Sequence, residues 1–215
     1  MFRDTFHEYV AARAPVTYAI SGVIIGVFLF EVWYIQTTSV GSINVFATGL
    51  FGVYPALGWL LSPFLHQNLT HFAGNLVIFW MLGLAVERHW SKWRYMGFLL
   101  GVGYVSTFLG AGFVALFSPE QVAFYGSSGM VFALAGFALI HFLRPHIEIR
   151  KIEWFGVFIG ILALVMVLID PLTGPYFDSH WINGGHLAGF ICGLGFGRRY
   201  TGGECPAGHR RQRDS

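Results

Sequence analysis

Six stretches of this chain are apolar for nearly the length needed to cross a bilayer: about 16–36, 68–86, 95–117, 127–143, 154–169 and 180–197. A membrane helix needs about 20 mostly apolar residues at about 1.5 Å rise each. Lipid offers a backbone amide no partner, so a run of this kind must satisfy its own hydrogen bonds as a helix. The expected fold class is an all-α polytopic membrane protein with six transmembrane helices. Composition agrees, since 55% of the residues are hydrophobic and 11% charged, against about 25% charged in soluble chains. The first run follows a polar stretch and lacks a small-residue cleavage site, so it reads as a retained span. No linker or low-complexity tract divides the chain. Residues 1–200 read as a single six-span membrane domain and 201–215 as a basic cytoplasmic tail. A net charge of +2, carried by dispersed basic residues, argues against a nucleic-acid partner. Cys192 lies in an apolar run and Cys205 in the basic tail, so no structural disulfide is expected.

All 13 Lys and Arg fall before the first run, between the second and third, between the fourth and fifth, or after the sixth. The other three connections hold only acids: Glu120, Asp170 and Asp178. By the positive-inside rule both termini are cytoplasmic, and the second, fourth and sixth spans enter from the outer face. The first outer connection, about 37–67, is rich in aromatic and apolar residues such as Phe46, Phe51, Trp59 and Leu60. Such a loop is expected to lie in the membrane interface.

Polar groups inside a bilayer are costly and therefore informative. The second span opens with His66, His71 and Asn75, the last two being four apart and so on one helix face. The fourth opens Gly126-Ser127-Ser128-Gly129, and the sixth holds His186 in a series of glycines at 185, 189, 193 and 197. Counting back from the inner charges at about 1.5 Å per residue puts His71 and Ser128 about 24 Å, and Asn75 and His186 about 18 Å, above the inner edge. A nucleophile, a base and two hydrogen-bond donors thus share one layer on three helices. Taken singly, each has a plainer reading. Ser127 near a helix start reads as an N-cap, and so does Ser128; Asn75 reads as a contact between helices; a lone His186 reads as a packing residue. His66, His89, His141, His146 and His180 fall at span ends or in loops, where interfacial solvation accounts for them.

Together these residues resemble the rhomboid intramembrane serine proteases over about 55–197. The family's HxxxxHxxxN pattern corresponds to His66, His71 and Asn75; its GxSG to Gly126, Ser127, Ser128 and Gly129; its histidine before GxxxG to His186, Gly189 and Gly193. Gly83, Glu87 and Arg94 resemble its turn between the second and third spans. Two positions depart from the pattern: Trp59 is followed by Leu60 where many members have Arg, and Phe132 stands where many bacterial members have Tyr. The resemblance implies a six-helix rhomboid-like bundle with a membrane-associated first outer loop. It also implies an endopeptidase that needs no metal or cofactor, cutting transmembrane segments of other proteins near the outer face. Ser128 would be the nucleophile and His186 the base, a dyad because no acid occurs in the fourth or sixth span. His71, Asn75 and the Ser128 amide would receive the oxyanion; Gly126, Gly129, Phe132 and His66 would support the site. The expected setting is the plasma membrane of a prokaryote, with the bilayer and transmembrane substrates as partners. Two other readings are weighed against it, a non-catalytic rhomboid-like binder of membrane segments and a metal or proton transporter lined by His66, His71, His180 and His186.

Overall fold

The computed structural model describes residues 14–38, 55–66, 68–117, 125–144, 149–173 and 184–200, and among these every element is helical. In chain order they are α1 (Pro15–Thr38), α2 (Pro55–Leu61) with a 3-10 turn at Ser62–Phe64, α3 (Leu69–Glu87), α4 (Lys92–Phe117), α5 (Ser128–Phe142), α6 (Lys151–Thr173) and α7 (Gly184–Arg199). Helices α1, α3, α4 and α6 are long and apolar enough to cross a membrane; α5 is apolar but shorter. A helix lies on each of the six apolar runs. The tail 201–215, residues 39–54 of the first outer connection, His146 and His180 fall outside the described residues.

Helix α5 is the centre of the bundle. Every residue from Ser128 to Phe142 is buried except Ile140, and α5 packs most extensively on α7 and then on α6, with α3 and α4 closing its other sides. Lipid supplies no hydrophobic drive between apolar helices, so close packing must hold them together. Glycine permits that approach. A Cβ added to Gly189 would stand 3.1 Å from the Gly129 carbonyl carbon, and one added to Gly193 would stand 2.9 Å from the Phe137 amide nitrogen.

Helix ends are fixed by long-range polar contacts. Helix α1 starts on Pro15, and its exposed first amides find the Glu87 carboxylate at the end of α3: Val16 N–H donates at 2.9 Å and Thr17 N–H at 2.7 Å. The Thr17 hydroxyl donates to the same carboxylate at 2.7 Å, and Thr17 packs against bare Gly83. At the basic end, Glu153 in the first turn of α6 accepts from Arg88 and from the Arg150 amide and pairs with His89. Arg144 donates to the carbonyls of Arg198, in the last turn of α7, and of Tyr200, just beyond it. His89 and His141 were expected to be solvated; instead their rings meet at 5.5 Å, and His141 is buried at 4% exposure. Glu153 holds His89 in place, and His141 is buried because it sits on α5, nearly all of which is buried.

Candidate active site

Ser128 is the first residue of α5, and the chain reaches it through Gly126, whose φ of +127° lies in the region that favours glycine. The Gly126 N–H donates to the Ser62 carbonyl at 2.8 Å, which anchors this approach to the 3-10 turn after α2. The absent side chain matters as much as the torsion. A Cβ on Gly126 would stand 3.4 Å from His71 Cε1 and 3.7 Å from Ser128 Oγ. One small space is therefore bounded by a hydroxyl from α5 and an imidazole from α3. The Ser128 and Gly129 amides, first in their helix, have no carbonyl within it to bond and carry the positive end of its dipole.

Helix α3 is started by Asn68, whose side-chain oxygen accepts the His71 N–H at 2.8 Å. Asn75 follows His71 by one turn on the same face. Its Nδ2 is buried without a hydrogen-bond partner among the described residues. A buried amide donor left unpaired costs about 1–3 kcal/mol, so a donor stands available here. From the other side, His186 in the first turn of α7 lays its ring on Phe132, with centroids 4.2 Å apart and planes 10° from parallel. Phe132 is one turn beyond Ser128 on α5, so this stack brings the imidazole to the serine's side of the helix.

A model of the Rhomboid domain matches residues 53–201. The chain belongs to the rhomboid family. It is 32% identical over 136 residues to the rhomboid protease GluP of Bacillus subtilis, covering 63% of this chain and 24% of that protein. It is 30% identical over 133 residues to the rhomboid protease GlpG of Salmonella paratyphi A and 31% to that of Salmonella choleraesuis, in each case covering 61% of this chain and 44% of the relative. The chain thus aligns with less than half the length of each of these proteins.

In this rhomboid, His66 and Ser127 differ from what the sequence suggested. Ser127 occupies the N-cap position of α5, but its side chain caps nothing. His66 is 1% exposed rather than solvated. Its Nδ1–H donates to the Phe64 carbonyl at 3.0 Å, which leaves Nε2 to accept the Ser127 hydroxyl at 2.9 Å. Burial, reinforced by the neighbouring His71, lowers the His66 pKa to about 4 and keeps this arrangement neutral. The His66 ring meets His71 edge to face at 5.4 Å, so the bond between His66 and Ser127 holds one neighbour of the His71 ring in place.

The His66 backbone N–H donates to the Glu31 carboxylate of α1 at 3.2 and 3.3 Å. Glu31 is 2% exposed, a buried acid in the middle of an apolar helix. Being the only acid away from a span end was the signal that could have assigned it a role. At the first departure from the family pattern, Leu60 is 58% exposed while its carbonyl accepts the Tyr104 hydroxyl at 3.0 Å. Beside it, Trp59 packs on Phe108 at 4.7 Å. Here α2 is held to α4 by aromatic packing and a backbone carbonyl.

Proposed function

We propose that this rhomboid is an intramembrane serine endopeptidase acting through Ser128 and His186. One arrangement carries the reading: Ser128 and His71 converge over Gly126, while His186 rests on Phe132 one turn from the serine. His186 takes the hydroxyl proton as Ser128 Oγ attacks a peptide carbonyl. The oxyanion that forms is received by the Ser128 amide and by donors from His71 and Asn75, an interaction worth about 10²–10³ in rate per donor. His186 then gives its proton to the departing amine, and water enters to hydrolyse the ester. The Phe132 stack orients the imidazole, so the catalytic unit is a dyad.

The remaining elements of the proposal follow from the apolar runs and the placement of the basic residues. All six long helices span the membrane, with both termini cytoplasmic and the Ser128 end of α5 below the outer surface. The α2 segment and its 3-10 turn lie in the outer interface. The substrate is a transmembrane segment of another protein, reached sideways through lipid. A helix hides its carbonyls in its own hydrogen bonds, so cutting favours sites where the substrate helix is weak.

The test is cleavage of a transmembrane-segment reporter by purified protein, with and without chelator. Wild type should cut in both, and a fluorophosphonate should label Ser128. Ser128→Ala and His186→Ala should each give no product while melting near the wild-type temperature. Cleavage surviving in Ser128→Ala, or label mapped to Ser127, would overturn the assignment.

A further inference from the structure

At the basic end of the bundle, far from Ser128, α4 and α7 enclose a groove of about 410 Å³. Its walls are Trp90, Phe98, Phe196 and Tyr200; its polar lining is Arg94 from the first turn of α4 and Arg199 from the last turn of α7. The aromatic wall is built, not incidental: Trp90 and Tyr200 stack at 4.5 Å and 12°, and Phe98 meets Phe196 at 5.0 Å. The Tyr200 hydroxyl donates to the His89 carbonyl, fixing that wall to the turn after α3. Neither guanidinium has an ion-pair partner among the described residues. Nearby cations are engaged otherwise: Arg88 forms an ion pair with Glu153, and Arg144 donates to two backbone carbonyls. The floor is Gly97, and Gly101 follows one turn deeper on the same face of α4. A Cβ on either would meet nothing within 4 Å. Beyond the groove, open space beside α4 therefore extends past Gly101, about 10 Å along the helix from Arg94.

We propose that this groove binds one anionic phospholipid of the inner leaflet, its phosphate between Arg94 and Arg199 and an acyl chain along Gly97 and Gly101. Charge complementarity selects this occupant. Two guanidiniums without an ion-pair partner among the described residues, at the level of the headgroups, call for a phosphate, for which the planar guanidinium fork is suited. An apolar track leading from them into hydrocarbon calls for a chain attached to it. The volume lies in the range of ligand pockets. A lipid held here bridges α4 and α7, the helices that flank α5 on either side of the groove, and does not touch the serine end.

Native mass spectrometry of the full chain in detergent, titrated with phosphatidylglycerol, phosphatidylcholine or glycerol 3-phosphate, tests the assignment. A basic residue near an anionic headgroup contributes about fivefold in affinity. Phosphatidylglycerol should therefore bind about 25-fold more tightly than phosphatidylcholine, and glycerol 3-phosphate more weakly than either lipid. The double variant Arg94→Gln/Arg199→Gln should lose the preference between headgroups. Gly97→Leu, which fills open space and should leave the melting temperature in detergent unchanged, should weaken both lipids by blocking the chain. Equal binding of the two lipids to wild type, a preference surviving in the double variant, or glycerol 3-phosphate binding as tightly as phosphatidylglycerol would each overturn the proposal.

Discussion

Replacing Gly193 by alanine should damage the proposed chemistry from a point well removed from it. Gly193 faces the backbone of α5, where an added methyl carbon would stand 2.8 Å from the Ala133 carbonyl carbon and closer still to its oxygen. Carbon–carbon contact is favourable at about 3.5–4.0 Å, so α7 must withdraw by roughly 1 Å. The backbone of α5 cannot yield as a flexible side chain could, and overpacking of this kind costs about 1–3 kcal/mol. His186 lies two turns away on the same helix, about 10 Å along its axis. If the helix moves as a body, the imidazole shifts by a similar amount from Ser128. A misplacement of about 1 Å costs on the order of 10²-fold in rate. The assay is reporter cleavage under saturating substrate, with melting temperature measured on the same preparation. Gly195→Ala is the control, because a methyl there meets nothing within 4 Å; it should leave both quantities close to wild type. Unchanged kcat and melting temperature in Gly193→Ala, or equal damage from Gly195→Ala, would refute the view that backbone contact between α5 and α7 sets the catalytic distance.

Asn75→Ala should lower kcat by roughly 10–10³-fold with little change in KM, if its unpartnered amide serves the oxyanion; a destabilised variant with unchanged kcat would remove Asn75 from the site. His66 in the folded chain titrates at about 4, below the ordinary 6.5, so an unfolded chain takes up its proton first as pH falls. Stability should therefore decline between about pH 6.5 and 4, by up to about 3 kcal/mol, and melting curves of His66→Asn should lack this component. Ser127→Ala should keep most activity yet melt lower, having lost the hydroxyl that His66 accepts, a bond worth about 1 kcal/mol. A cysteine replacing Glu120 or Asp178 should react with an impermeant reagent from outside the cell, and one replacing Lys151 should not; the reverse pattern would invert the proposed orientation.

What could be read from the sequence divides along physical lines. Apolar runs located a helix on each of the six because an apolar run satisfies its own backbone hydrogen bonds most readily as a helix. Their ends were missed by a few residues where charged residues continue the helix. Helix α4 begins at Lys92 rather than 95, and α6 at Lys151 rather than 154, since the Glu153 carboxylate turns back to the Arg150 amide. His71, Asn75, Ser128 and His186 stood out as polar groups at a similar depth, a property that spacing along single helices conveys. The roles of His66 and Ser127 did not stand out. Their bond joins positions 61 residues apart, on segments whose mutual placement no periodicity encodes. Glu31 reaching His66 across 35 residues was hidden for the same reason.

The contacts made by α1 bear on where this molecule can be cut and rejoined. The matched Rhomboid domain begins at residue 53, so α1 lies wholly outside it. Yet Glu87 within the domain accepts the Val16 and Thr17 amides of α1, and Glu31 of α1 accepts the amide of His66 inside the domain. Trimming to the family boundary would strip Glu87 of the two amides and the hydroxyl that it accepts from α1, and an acid without such partners is costly in a membrane protein. The same cut would release the backbone beside His66 from its tether. The family boundary is therefore not a modular seam. In grafts or chimaeras built from this rhomboid, α1 should travel with the domain as an inseparable part.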